Sequence, residues 1–271
     1  MANNLLHGKT GIITGALDNN SIAWRVAERC HEEGARFILT NAPVALRMGG
    51  IQQLAEKTGA QLIPADATSI EDIGKLYDAA KEQFGQIDFI LHSIGMSVNV
   101  RKGRAYTDLS YEYLQKTYDV SAISLHKMLQ VAFQRDMIKE WGSVVALTYI
   151  AAQRVFAKYS DMAESKALLE SYARSFGYHY GKAHKVRINT ISQSPTRTTA
   201  GSGVAGFDTM YDFAERMSPL GNATADDCAD LVVYLFSDLS RRITMQNLYS
   251  DGGFSSMGIS DEVLDAFVPK G

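Results

Sequence analysis

Tyr159 and Lys166 stand seven residues apart in a stretch of the chain with helical patterning. Seven residues of helix are nearly two turns, so both side chains fall on one face, about 10.5 Å apart along the axis. A tyrosine hydroxyl there can donate to an oxygen on which negative charge develops. A lysine two turns on can grip a ribose and add positive charge. Tyr149, ten residues before Tyr159, follows a strand-like run and can line the same pocket. The chain holds 13 tyrosines, so such a pair also arises on a purely structural helix. Spacing alone leaves both readings open.

A second group of residues suits a dinucleotide. Gly15 ends the first strand-like run, where a glycine lets the chain turn tightly and approach a phosphate. Ser21 and Ile22 open the helix that follows, whose free N–H groups and dipole favour a pyrophosphate. The spacing is not G-x-G-x-x-G, so the position of Gly15 on the first βαβ unit carries the reading. Asp66 and Ala67 follow the third strand; Asp66 either accepts from an adenine amino group or caps a turn. His92-Ser93-Ile94-Gly95 closes the fourth strand with small residues that admit a flat ligand, and His92 reads as structural. The second strand ends in Thr40-Asn41-Ala42-Pro43. There is no acid for a ribose 2′-hydroxyl and no adjacent base for a 2′-phosphate; Arg47 is the nearest. This balance favours NADH over NADPH.

Alternating elements must place these residues. Strands are predicted over 11–14, 36–40, 61–64, 87–92, 143–147, 186–191 and 247–250. Helices are predicted over 21–33, 46–58, 70–84, 111–139, 161–182 and 225–237, with Ser21 as an N-cap and Gly34 as a stop. Strict alternation implies an α/β fold, a single-domain Rossmann-type doubly wound parallel sheet with helices on both faces. Ligands in such sheets bind beyond the carboxyl ends of the strands. The segment 193–219 shows no clear periodicity and carries Gly201, Gly203 and Gly206, which predicts a substrate-binding lid, mobile until ligands bind.

A chain of 271 residues suits one such domain, spanning 1–271. A net charge of -3 argues against a nucleic-acid partner. Two cysteines, Cys30 and Cys228, make no disulfide framework and point to a reducing compartment. The first residues lack the pattern of a signal peptide, and no apolar run is long enough to cross a bilayer. A cytoplasmic protein without membrane attachment is expected. The six histidines show no metal-ligand spacing, so no metal site is expected.

The set Gly15…Ser21-Ile22-Ala23, Asp66, His92-Ser93-Ile94-Gly95, Tyr149…Tyr159…Lys166, Asn189, Pro195-Thr196…Thr198 and Asp251-Gly252-Gly253-Phe254 resembles bacterial enoyl-acyl-carrier-protein reductases. These form a divergent branch of the short-chain dehydrogenase/reductase superfamily. Generic members place the tyrosine and lysine four apart; position 163 here is Ala163, and the lysine comes at Lys166. The resemblance implies a homotetramer of fatty-acid synthesis that reduces trans-2-enoyl thioesters of acyl carrier protein with NADH, the last step of the elongation cycle. It implies that Tyr159 stabilises the enolate oxygen, Lys166 holds the nicotinamide ribose and Tyr149 sits beside the substrate. Gly15, Ser21, Ile22, Asp66, Ala67, Ser93, Ile94, Gly95 and Thr196 would contact the cofactor. Met96, Met162, Phe207 and Met210 would line the acyl pocket.

The chain departs from the family pattern at Gln193-Ser194-Pro195, where many members have Ala-Gly-Pro, and this bears on lid geometry. Residues 204–210 also lack the basic side chains that many members carry there, so the acidic carrier is expected on Arg197 or on Arg101, Lys102 and Arg104. Two other readings remain: a short-chain carbonyl reductase or alcohol dehydrogenase, and a non-catalytic NAD(H)-binding sensor. The first calls for the four-residue spacing, and the second for loss of Tyr159 or Lys166.

Overall fold

The computed structural model describes residues 3–47, 50–199, 201–204 and 206–268. Seven parallel strands form one sheet: β1 (Thr10–Thr14), β2 (Arg36–Asn41), β3 (Gln61–Pro64), β4 (Ile87–His92), β5 (Ile138–Thr148), β6 (Arg187–Gln193) and β7 (Asn247–Ser250). Their order is β3-β2-β1-β4-β5-β6-β7, so the winding reverses between β1 and β4. A crevice opens at that switch point, beyond the carboxyl ends of the strands.

The helices are α1 (Ile22–Glu32), α2 (Pro43–Leu46), α3 (Ile51–Thr58), α4 (Ile70–Phe84), α5 (Val98–Arg101), α6 (Tyr111–Tyr118), α7 (Ser124–Gln134), α8 (Ser160–His184), α9 (Phe207–Met217), α10 (Ala225–Phe236) and α11 (Asp261–Asp265). Alternate strand residues face opposite layers. Ile13, Leu39, Leu91, Val145 and Ile191 pack under α1, α3 and α10, where Cys30 and Cys228 are both buried. Ile12, Ile38, Ile90, Val144 and Ile188 pack under α4, α7 and α8. Apolar runs buried on both faces are what a doubly covered parallel sheet requires.

The structure corrects the sequence reading at four places. The helix expected over 46–58 is two helices: Pro43, with its fixed φ, starts α2 directly after β2, and α3 begins after Gly50. Met48 and Gly49, inside that expected span, lie outside the described residues. The helix expected over 111–139 widens into a π-turn at Asp119–Ile123 and ends at Gln134. Asp136, at φ 50°, turns the chain, and Ile138 and Lys139 already belong to β5. Beta-branched Ile138 was too far from 143–147 to be joined to it by pattern, because Trp141 at φ 66° and Gly142 interrupt the strand's register. Finally, β6 runs through Gln193, and the segment after it contains α9. Phe207, Met210, Ala214 and Met217 of α9 recur at helical spacing. The glycines and threonines before them hid that stripe in a longer window.

Candidate functional site

A cavity of about 790 Å³ lies over the crevice, within the usual size of a small-molecule or cofactor site. Gly15, Ser21, Ile22, Asp66, Ala67, Ser93, Ile94, Gly95, Lys166 and Thr196 all line it. So do Met96, Tyr149, Tyr159, Met162, Phe207 and Met210. The fold thus brings the expected cofactor, catalytic and acyl-pocket residues to one space.

Gly15 has φ 86°, and a Cβ there would lie 1.9 Å from the Ser93 carbonyl oxygen. Any side chain would force the ends of β1 and β4 apart. The loop that follows is tied to itself: Ser21 Oγ donates to Asp18 O at 2.7 Å and accepts from Leu17 N at 3.2 Å. Ser21 therefore occupies the N-cap position of α1 without capping it. The first N–H groups of α1 keep their donor capacity for an anion. The cradle fits a dinucleotide pyrophosphate.

At the end of β2, the Asn41 carboxamide is spent internally, on Ala16 O at 2.9 Å and Ala42 N at 2.8 Å. Thr40, Asn41, Ala42, Val44 and Ala45 form this wall, and Arg47 stands outside it, exposed. Asp66 makes the turn that its residue type favours: Oδ1 accepts from Thr68 N and Thr68 Oγ1, both at 2.8 Å. It lines the cavity as well, so the structure is compatible with both sequence readings of this residue.

Past β4, Ser93 N donates to Thr14 Oγ1 at 3.2 Å, which fixes the chain as it enters the cavity wall. His92 is fully buried and its Nε2 lies 2.8 Å from Ser124 Oγ. Burial, with Lys166 nearby, lowers its pKa to about 3, so it stays neutral and structural. Lys166 extends from the second turn of α8 to Leu147 O at 2.9 Å and Ile94 O at 3.5 Å. Burial lowers its pKa to about 8, partly offset by the Glu170 carboxylate.

The two tyrosines meet at the other side. Their rings lie 5.1 Å apart. Tyr149 is buried against Phe156, and its hydroxyl has no hydrogen-bond partner among the described residues. A buried hydroxyl without a partner costs free energy unless something arrives to pair with it. Burial raises the pKa of both phenols, so each keeps its proton and can donate it to a ligand oxygen. Beyond Tyr159, Val204 and Met210 open into a second, mostly apolar space of about 580 Å³, walled by Phe156, Phe213, Met217, Phe254 and Met257. Sequence reading quoted Phe254 only within its motif and gave none of these five a place in the site; of them, Met217 belongs to the apolar stripe of α9.

Gln193 anchors the start of the expected lid, donating to Ala223 O at 3.1 Å and Thr224 O at 3.0 Å. The departure at Gln193-Ser194 thus pins the segment rather than freeing it. Further along, Thr199 Oγ1 donates to Asp18 Oδ2 at 2.6 Å, joining the segment to the loop after Gly15. Arg197 pairs with Asp208 at 2.7 Å and Asp212 at 3.8 Å, and stacks on Tyr211. Two aspartates beside it make the local charge balance less positive, which weakens it as a docking point for an acidic carrier. Among the described residues no cluster of three or more metal-ligating side chains occurs.

A sequence model of the enoyl-(acyl carrier protein) reductase family matches residues 15–255. The chain is 35% identical over 261 residues to the NADH-dependent enoyl-acyl-carrier-protein reductase FabI of Rickettsia felis, covering 95% of this chain and 98% of that one. The crystal structure of the FabI–NADH complex of Alistipes finegoldii superposes with a TM-score of 0.96 at 62% identity, covering 99% of this chain and 95% of that one. The enoyl-acyl-carrier-protein reductase (NADH) of Aquifex aeolicus superposes with a TM-score of 0.88 at 32% identity, covering 94% and 99%.

Proposed function

We propose specific residue roles from the premise that this chain belongs to the enoyl-acyl-carrier-protein reductase family and reduces enoyl thioesters of fatty-acid synthesis with NADH. Gly15, Ser21 and Ile22 receive the pyrophosphate, Asp66 and Ala67 the adenine, and Ser93, Ile94, Gly95 and Thr196 the ribose and nicotinamide. Lys166 holds the nicotinamide ribose. Bound NADH supplies the hydride that reaches the β-carbon. Negative charge gathers on the thioester oxygen as the β-carbon is reduced, and Tyr159 donates to that oxygen. Tyr149 lies beside the thioester. Met96, Met162, Phe207 and Met210 enclose the acyl chain, whose tail extends into the space walled by Phe213 and Phe254.

The observation that carries this reading is the meeting of Lys166, Tyr159 and the unpartnered Tyr149 hydroxyl in one cavity with the Gly15 cradle. The test is a steady-state assay of a crotonyl thioester with NADH beside NADPH. NADH is expected to give the higher kcat/KM, by about tenfold or more. That is the worth of one charge-assisted hydrogen bond that the wall at Asn41 and Ala42 does not offer a 2′-phosphate. A preference for NADPH would bring Arg47 into play and refute this account of the wall.

The segment 193–219 acts as the lid. The Thr199–Asp18 bond supports this, because it ties a cavity-lining residue of the segment to the loop after Gly15 through exposed side chains. Hydrogen exchange in this segment is expected to slow when NADH and an acyl mimic bind, and Thr199→Val to quicken it in the free enzyme. Equal protection with and without ligand would count against a lid. The carrier docks beside Arg101, Lys102 and Arg104, since Arg197 is flanked by Asp208 and Asp212 and Arg101 also lines the cavity. Assembly as a homotetramer belongs to the same reading. The near-neutral charge balance supports the absence of nucleic-acid partners. Residence in the cytoplasm without membrane attachment accords with a role in fatty-acid synthesis.

A further inference from the structure

Asp161 takes no part in the roles above, yet it is fully buried in the first turn of α8, between Tyr159 and Met162. Its Oδ1 accepts from Ser97 Oγ at 2.6 Å. Its Oδ2 accepts from Asn99 Nδ2 at 2.8 Å and lies 3.0 Å from Thr117 Oγ1, whose single proton is shared between this carboxylate and Tyr113 O at 2.9 Å. All three donors are neutral. A buried carboxylate with no cation is costly unless its oxygens are well bonded. The three donors and the positive end of α8 meet that need. An apolar side chain would fill the place at less cost, so the polar cluster calls for a reason beyond packing.

The donors belong to the opposite wall. Ser97 follows the cavity-lining residues 93–96 and caps α5 by accepting from Val100 N at 3.0 Å. The Asn99 carboxamide brackets Ser110, donating to its carbonyl and accepting from its N–H, both at 3.2 Å. Ser110 in turn opens α6, and Thr117 sits in that helix's last turn. One carboxylate therefore joins α8 to the loop after β4 and to both ends of α6. Between Tyr159 and Asp161, Ser160 holds φ 46°, a conformation that non-glycine residues adopt only when their surroundings impose it.

We propose that Asp161 is a positioning residue: its three buried hydrogen bonds hold the strained first turn of α8 against the loop after β4 and so set the Tyr159 hydroxyl over the reacting thioester. This rests on the role assigned to Tyr159. The test compares the parent with Asp161→Asn and Thr117→Val, using a crotonyl thioester with NADH and with NADH deuterated at the nicotinamide C4. The amide of Asp161→Asn turns a donor toward groups that themselves donate. It should lower kcat by about tenfold or more, as small misplacements of reacting groups do, while NADH affinity by fluorescence titration holds. The deuterium effect on kcat should rise, because hydride transfer becomes the slow step. Thr117→Val removes one donor at nearly constant shape and should move both quantities the same way, by less. A role confined to stability would lower the melting temperature and leave the isotope effect alone.

Parent values of kcat and isotope effect in both variants overturn the proposal. If Asp161→Asn does not fold, Thr117→Val and Ser97→Ala decide it on the same two readouts. Tyr159→Phe runs alongside. An impaired Tyr159→Phe beside unimpaired cluster variants refutes the positioning role alone, whereas an unimpaired Tyr159→Phe shows that the role of Tyr159 was misassigned.

Discussion

Tyr159→Phe lowers turnover of enoyl thioesters by about a hundredfold or more, the usual cost of removing one preorganised donor to a developing oxyanion. NADH affinity stays close to the parent's, because the lost bond belongs to the transition state rather than to the cofactor complex. The environment of the phenol sets this expectation. Burial raises its pKa, so the hydroxyl enters the reaction protonated at any working pH. It faces a cavity wall shared with Lys166 and Tyr149.

Tyr149 is the natural control. Its hydroxyl has no partner among the described residues, so Tyr149→Phe removes a buried donor without breaking a hydrogen bond to any of them. That substitution should leave the melting temperature unchanged or slightly higher. Circular dichroism and thermal melts of both variants separate loss of the donor from loss of the fold. Full activity in Tyr159→Phe on several acyl chains would eliminate Tyr159 as the donor, and a loss confined to Tyr149→Phe would assign the role to that residue.

The sheet was readable because its strands are apolar on both faces and bounded by turn residues. β3, β4 and β7 fall on the predicted residues, as does α4. Gly15, Ser93 and Gly95 were readable as cavity residues for a related reason: the switch point of a doubly wound sheet follows from strand order, and small residues at strand ends mark it. Tyr159 and Lys166 needed more. Their spacing places them on one face of α8, but nothing local says that this face turns to the cavity; the family resemblance supplied that. The Asp161 cluster had no local signature, since its members lie 64, 62 and 44 residues away in sequence. The bond between Thr199 and Asp18 spans 181 residues and was equally hidden. Periodicity reports which face of an element is buried, and it is silent on which polar groups meet across elements. The π-turn at Asp119–Ile123 was likewise beyond pattern, because one extra residue in a turn leaves the apolar stripe on either side intact.

Lys166→Met is expected to weaken NADH binding and slow turnover together, in contrast to Tyr159→Phe. The ammonium bridges two walls of the site, donating to Leu147 O at the end of β5 and to Ile94 O after β4. Methionine has similar bulk but cannot donate, so both carbonyls lose their partner and the ribose loses its grip. A tenfold or greater rise in NADH Kd is expected, about 1.4 kcal/mol or more, with a further loss in kcat from the missing positive charge near the oxyanion. The pH dependence supplies an independent check. Burial lowers the pKa of Lys166 to about 8, so in the free enzyme the ammonium is present below that pH and is lost above it. The kcat/KM for NADH reports free-enzyme ionisations and should therefore fall on the alkaline side, bending near pH 8. Lys166→Arg, whose guanidinium does not titrate in this range, should flatten that limb even where its fit lowers the plateau. Normal NADH binding by Lys166→Met would refute the ribose grip. An alkaline limb that persists unchanged in Lys166→Arg would place the titrating group elsewhere, and would leave the buried ammonium with a purely electrostatic part to play.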